Sequence, residues 1–440
     1  MNIKKILFVF SILLFATSIL FYDVLYSDSI FLTQDSISAK SIKHGIEKST
    51  VDFGEYPKWM PWIFGGLPST HSMQNISEYY YPHHIIKLIK IFSIPWFWNF
   101  LIHFLFAGLG MYVLLIHLKL NFFSSLFGSI SYTIMPWMIA MIVHGHGSQV
   151  MTAAYIPWVV WAMLKLKNEP GLQYISILAL LIGLQLQRAH VQIAYYTWIL
   201  MGIYIIYDLY VSYYSKSKYD IKFIIKWAFA SIIGFFMSLW IYIPLLNYAP
   251  FSKRSSSSGG ASFEYATSWS MHPYESLTML LPSSFGFGEL TYFGFMPMTN
   301  FPNYSGIVIV FMAFFAFHKT SRQLSYFFLT ILIISLLISF GKYTFIYEIL
   351  YNWLPYFNKF RVPSMILILF QFSITALGAI GLNNICKKII KDERVLKKSL
   401  IALGAISVLA VLRLAFHDFS SALDRRVTTN NLRIELIQND

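Results

Sequence analysis

FWNFLIHFLFAGLGMYVLLIHL, residues 97–118, contains no Asp, Glu, Lys or Arg. Wound as a helix at about 1.5 Å per residue, it spans about 33 Å, enough to cross a hydrocarbon core of roughly 30 Å. Runs of this kind recur along the chain. Eleven candidate spans fall at about 6–26, 97–118, 122–143, 150–164, 171–187, 190–211, 223–246, 303–317, 324–340, 363–385 and 399–416. The composition agrees, with 57% hydrophobic, 18% aromatic and only 12% charged residues among 440, where soluble domains carry about 25% charged residues. The expected fold is all-α: a polytopic membrane protein of about eleven helices whose large loops carry short interfacial helices. The basic flank of MNIKKILFVFSILLF suits a signal peptide, but its apolar run continues to about Tyr26 without a small-residue cleavage site, so it reads as an uncleaved first span.

The net charge of +13 invites a nucleic-acid reading, and its distribution argues against one. With the N-terminus in the cytoplasm, the cytoplasmic side holds 17 of the cations and five of the acids, leaving 16 cations and 15 acids outside. Every short cytoplasmic loop is basic, which is the positive-inside pattern of a multi-pass protein. The expected location is the bacterial cytoplasmic membrane, with membrane lipids as partners and no nucleic acid. The single cysteine, Cys386, excludes an intramolecular disulfide and a thiolate cluster.

On this map the polar groups gather outside, in loops 27–96, 247–302 and 341–362. Residues 1–416 form one transmembrane domain, and 417–440 form an outer tail that is expected to begin a longer C-terminal region. In the first loop Ile85, Ile86, Ile89 and Phe92 share one helical face beside Lys87 and Lys90, as an interfacial helix would; a loop helix packed on the protein fits the same pattern. SSSSGG at 255–260 reads as a flexible strip.

Asp35, about nine residues beyond the first span, can accept a proton or hold a divalent cation; as a solvated loop residue or helix cap it would be ordinary. KWMPWIFGGLPS (58–69) makes a rigid turn in which Trp62 lines a pocket and Gly65 and Gly66 admit close backbone approach by a ligand; the plainer role is a plug on the bundle. VHGHGSQV (143–150) supplies His144, His146 and Gln149. Two histidines suggest zinc, but no third ligand follows at a characteristic spacing, so hydrogen bonding to sugar or phosphate, or a polar cap on a hairpin, fits better. RAHVQ (188–192) puts Arg188, His190 and Gln192 in a tight outer turn, where an arginine grips phosphate bidentately or snorkels to headgroups. Arg254 and Arg361 supply cations at two further outer turns. SWSMHPYESLTMLLPSSFGFG reads as a partly buried re-entrant or interfacial piece.

Together, Asp35, WMPWIFGGLPS, HGHGSQV before a proline-bearing span, RAHVQIAYYT, HPYESLTMLLPSSFG, YSGIVIVFMAFFAF and FRVPSMILILFQFSITALGAIGL cover most of residues 30–385. In that order the chain resembles the YfhO family of bacterial membrane proteins, within the GT-C superfamily of polyprenyl-phosphate-dependent glycosyltransferases. The resemblance implies a GT-C-like fold with its active site on the outer face and a lipid-phosphate-linked sugar donor. It also implies an acid in the first outer loop as base or metal ligand, the place Asp35 holds. Family members are commonly longer, and no DxD-like acidic pair stands in the second outer loop, which leaves the divalent cation open.

The expected activity is inverting transfer of the sugar to a cell-envelope glycan or polymer. Asp35 would orient or deprotonate the acceptor. Arg188, Arg361 and Arg254 would neutralise the phosphate, and His144, His146, Gln149, His190 and Gln192 would bind sugar or phosphate. A transporter or lipid flippase is the alternative, expecting charges at mid-span and broken helices; a structural assembly factor is a third.

Overall fold

The structure is a computed structural model describing residues 3–26, 31, 33–63, 65–69, 80–84, 97–217, 219–251, 261–286, 288, 291–299, 301, 303–318 and 321–389. The expected interfacial helix at 85–92, the strip 255–260, Arg254, the span 399–416 and the tail 417–440 lie outside them. The described chain is mostly helical. Six of its helical spans are long and apolar enough to cross a membrane, or seven if one bent pair is counted as a single span. Multi-pass membrane character therefore holds.

The first span is α1 (Ile3–Leu20). A short turn of helix, α2 (Tyr22–Tyr26), leads toward the polar helix α3 (Gln34–Phe53). The strands β1 (Trp59–Met60) and β2 (Leu67–Pro68) pair antiparallel, Trp59 opposite Pro68 and Met60 opposite Leu67. The opening stretch forms α4 (Trp98–His117), two-thirds of it buried in the protein. Next come α5 (Phe122–Thr133) and α6 (Pro136–Val143), which together make one span. They are separated where Met135 turns extended ahead of Pro136, whose ring suits the first position of a new helix. α4 and α5 meet closely because glycines face the contact. A Cβ on Gly108 would lie 2.1 Å from Thr133 Oγ1, and one on Gly128 would lie 2.4 Å from a Leu115 methyl.

The expected span at 150–164 is split between α7 (Gly147–Ala153) and α8 (Ile156–Asn168). α9 (Leu172–Gln187) has 16 residues, short for a straight crossing. α10 (Val191–Tyr214) follows, then α11 (Ile221–Phe236) and α12 (Leu239–Tyr248), bent by 70° at the break. α9 and α11 pack through small residues: a Cβ on Gly234 would stand 2.7 Å from the Ala179 carbonyl. Ser238, at the bend, donates its hydroxyl to the Gly183 carbonyl of α9 at 3.0 Å, tying the bend to that helix.

Beyond the short helix α13 (Phe263–Ala266) and the 3₁₀ helix Pro273–Met279, α14 (Ile307–Phe314) has only eight residues, fewer than the span expected at 303–317. α15 (Arg322–Ser339), the short α16 (Phe345–Trp353) and α17 (Leu367–Ile389) complete the described chain. From Asn384 onward the chain belongs to a second unit, of which 384–389 are described. At the end of the helices opposite Asp35, the buried Asp208 of α10 pairs with Lys167.

Candidate functional site

Four stretches far apart in sequence meet at one end of the spans. Asp35 lies in the first turn of α3, where the helix's unpaired N–H groups favour a carboxylate. Its side chain is 64% exposed, and Oδ2 stands 3.5 Å from Nε2 of His146. Thr33, just before α3, donates its hydroxyl to the Val143 carbonyl at 3.0 Å, which fixes the start of α3 against the turn carrying both histidines. That turn is tight because Gly145, between His144 and His146, takes a left-handed φ of 83°.

Both histidines are held below their ordinary range. For His144 the main cause is partial burial; neighbouring His146 lowers it further, and Asp35 opposes. For His146 burial again leads, Asp35 opposes it, and the Arg361 charge lowers it more. Neutral His146 can donate its Nε2–H to Asp35 or pass a proton, but not both at once. The ring of His144 stacks on Phe301 at 5.7 Å between centroids.

Arg361 comes from the segment between α16 and α17. Its Nη1 donates to the Tyr265 hydroxyl at 3.0 Å, with the guanidinium over that ring. Its backbone is pinned by Gln192, whose amide donates to the Arg361 carbonyl and to the Tyr196 hydroxyl, each at 2.7 Å. The next residue, Val362, has φ 60°. A β-branched residue there is strained by about 1–3 kcal/mol and persists only where its surroundings impose it. Asp35, the His144–His146 turn and Arg361, expected at three separate outer turns, thus share one end of the protein. Gln192 serves them as a backbone anchor.

Arg188 stands apart. It is 4% exposed, which rules out snorkelling to headgroups, and its guanidinium covers the Tyr80 ring at 4.4 Å. Nη2 points at the Met151 sulfur, 2.9 Å away, and Nε has no acceptor. Among the described residues no carboxylate pairs with it. Tyr80 and Tyr155 share a hydroxyl–hydroxyl hydrogen bond beside it, and the buried His103 of α4 lies near. Ala189, left-handed at φ 58°, makes the turn to His190. His190 caps α10, its Nδ1 accepting from the Ile193 N–H at 3.3 Å. This nitrogen, one of those expected to bind sugar or phosphate, is engaged in the helix cap. Gln149 is buried on α7 with its carbonyl oxygen unbonded.

The turn 58–69 is a hairpin whose two glycines both take positive φ, and packing against Trp59 further restricts Gly66. Gly65 and Gly66 have φ of 77° and 132°, and a Cβ on Gly66 would fall 2.2 Å from the Trp59 ring. Trp62 lies on Gly45 of α3, where a Cβ would stand 2.8 Å from its indole. The hairpin braces the helix that presents Asp35. Among the described residues no three His, Cys, Asp or Glu side chains converge as a metal site would require.

Sequence reasoning missed Tyr265, Tyr80, Tyr155 and His103. A histidine inside the run 97–118 was a readable signal. The tyrosines, among 29, carried none. Glu275, inside the piece expected to be re-entrant or interfacial, is 3% exposed and knots its loop. Its carboxylate accepts from the Tyr292 hydroxyl, from the Phe295 N–H at 3.0 Å and from the His272 N–H at 3.1 Å. Burial, with Glu275 beside it, raises the Tyr292 hydroxyl above the usual tyrosine range.

Fold and geometry together define a multi-pass helical membrane protein with a polar cluster where several spans end. No protein-family model matches this chain, and no curated protein matches it either.

Proposed function

We propose that the chain is a membrane glycosyltransferase of the GT-C kind that its sequence resembles. It would move a sugar from a polyprenyl-phosphate donor to a cell-envelope acceptor at the extracytoplasmic face. The observation that carries this reading is the convergence of an exposed carboxylate, a neutral-leaning histidine and an arginine on one end of the spans. Asp35 takes the proton of the acceptor hydroxyl, or holds that hydroxyl in line, and His146 orients the carboxylate. The acceptor oxygen bonds to the anomeric carbon as the bond from that carbon to the phosphate oxygen breaks. The lipid phosphate leaves with the electron pair, and Arg361 stabilises its charge. Arg361 suits this because no carboxylate neutralises it among the described residues, while Tyr265 and Gln192 hold it in position.

Incubating the purified protein with a panel of polyprenyl-phosphate sugars tests the reading. One donor should be consumed, and Asp35→Asn should slow its use by about 10²–10⁴, the usual worth of a positioned acid or base. Undiminished turnover by correctly folded Asp35→Asn would remove the carboxylate from the chemistry.

The bend of 70° between α11 and α12 favours a second reading, a lipid flippase or transporter, since broken helices mark many transport sites. Accelerated transbilayer movement of a labelled lipid phosphate in proteoliposomes, with no sugar consumed, would select it.

A further inference from the structure

The nine residues of α16, Phe345–Trp353, divide into three edges around the helix axis. Tyr347 is buried, and Ile346, Leu350 and Tyr351 are partly buried. At about 100° per residue these four share the side that faces the protein. Glu348 and Asn352, both exposed, form a polar edge. Phe345, Ile349 and Trp353, at i, i+4 and i+8, form the third edge, and they are 71%, 50% and 83% exposed. A helix turned wholly to water would not keep an apolar stripe that bare, and one buried in protein would not keep it exposed. A polar edge beside an apolar edge, with a protein-facing edge behind, is the pattern of a helix lying flat at the surface of a bilayer.

The surroundings fit that occupant. α16 joins two apolar spans, α15 and α17, at the end where Arg361 and His146 meet. Tryptophan at the apolar edge prefers the headgroup boundary. The exposed Lys342 precedes the helix, a cation placed to meet lipid phosphates at that end.

We infer that α16 is an interfacial helix. Its Phe345–Ile349–Trp353 edge is seated among the lipids of the leaflet at the site's end of the spans, with Glu348 and Asn352 turned to water. It holds the Arg361 segment at headgroup depth. The inference does not rest on the proposed chemistry: it would hold equally for a transporter.

The test is site-directed spin labelling of the full chain. Cys386→Ser removes the single cysteine, and Glu348→Cys, Ile349→Cys, Asn352→Cys and Trp353→Cys are labelled one at a time. Each protein that elutes as a single species is placed in nanodiscs of phosphatidylethanolamine and phosphatidylglycerol. Labels at 349 and 353 should collide more with oxygen than with a water-soluble nickel chelate, and labels at 348 and 352 should show the reverse. Either position of each pair suffices. Equal nickel access at both edges would overturn the inference in favour of a solvated loop. Shielding of 349 and 353 from both reagents would overturn it in favour of a protein partner or a second copy.

Discussion

Gln192 offers the sharpest test of how the site is held. Its side chain is 6% exposed and spends both amide hydrogens at 2.7 Å, on the Arg361 carbonyl and the Tyr196 hydroxyl. Gln192→Ala strands a carbonyl that water reaches poorly, which costs about 1–3 kcal/mol. The Tyr196 hydroxyl can rotate, so its loss is smaller. Against this stands the strain at Val362, φ 60°, about 1–3 kcal/mol that the freed segment can release. The two effects largely offset each other, so the net loss in the native background should be small, at most about 2 kcal/mol. Val362→Gly removes the strain in advance, so Gln192→Ala should then cost roughly 1 kcal/mol more than in the native background, within the range of coupling between residues in contact. The assay is a denaturant titration in mixed micelles, followed by tryptophan fluorescence, on the four members of the double-mutant cycle. Additivity within about 0.3–0.5 kcal/mol, the agreement expected of independent sites, would refute the view that the Gln192 amide is what imposes the strained turn.

Gly66→Ala should destabilise the hairpin by about 2–4 kcal/mol, combining overpacking against Trp59 with an unfavourable backbone angle; limited proteolysis of the 58–69 segment reads it. Glu275→Gln should cost about 1.5–3 kcal/mol, since three donors lose a charged acceptor, measured by the same micellar titration. His146, whose folded-state pKa is depressed chiefly by burial, favours the folded protein fully above the ordinary histidine value and progressively less as pH falls below it toward the lowered one. Removing Asp35, which raises that pKa, should push the histidine lower still, and removing Arg361 should bring it back up; carbethoxylation rates against pH in Asp35→Asn and Arg361→Gln give both directions.

The spans were legible because each is a single long feature. The runs at 97–118, 122–143, 190–211, 324–340 and 363–385 fall on Trp98–His117, Phe122–Val143, Val191–Tyr214, Arg322–Ser339 and Pro363–Lys387. Breaks inside spans were less legible. Pro136 and Pro157 mark two helix starts, but Ser238, at the 70° bend, carries no sequence signal of its own. The gathering of Asp35, His146 and Arg361 was legible only as a shared side, read from charge balance across the loops. Their placement depends on Thr33, Gly145, Gln192 and Val362, backbone devices that no composition reveals. α16 escaped notice because nine residues inside a loop are too few for periodicity to stand out.

The two arginines taken together explain why sequence could propose a phosphate grip without ranking its members. Both stand at turns beside the ends of long helices, both lie over a tyrosine ring, and neither meets a carboxylate among the described residues. What separates them is access. Arg361 is only partly buried, on a segment whose backbone is fixed while its guanidinium rests on a hydroxyl that an incoming oxyanion can replace. Arg188 is sealed under Tyr80, its best contact a methionine sulfur, a weak acceptor for a buried cation. A buried charge without a strong partner is costly, so Arg188 can meet a phosphate only if the Tyr80 ring withdraws, whereas Arg361 can meet one as it stands. The proposed transfer therefore places the first encounter with the lipid phosphate at Arg361, whose charge is felt at His146 beside Asp35.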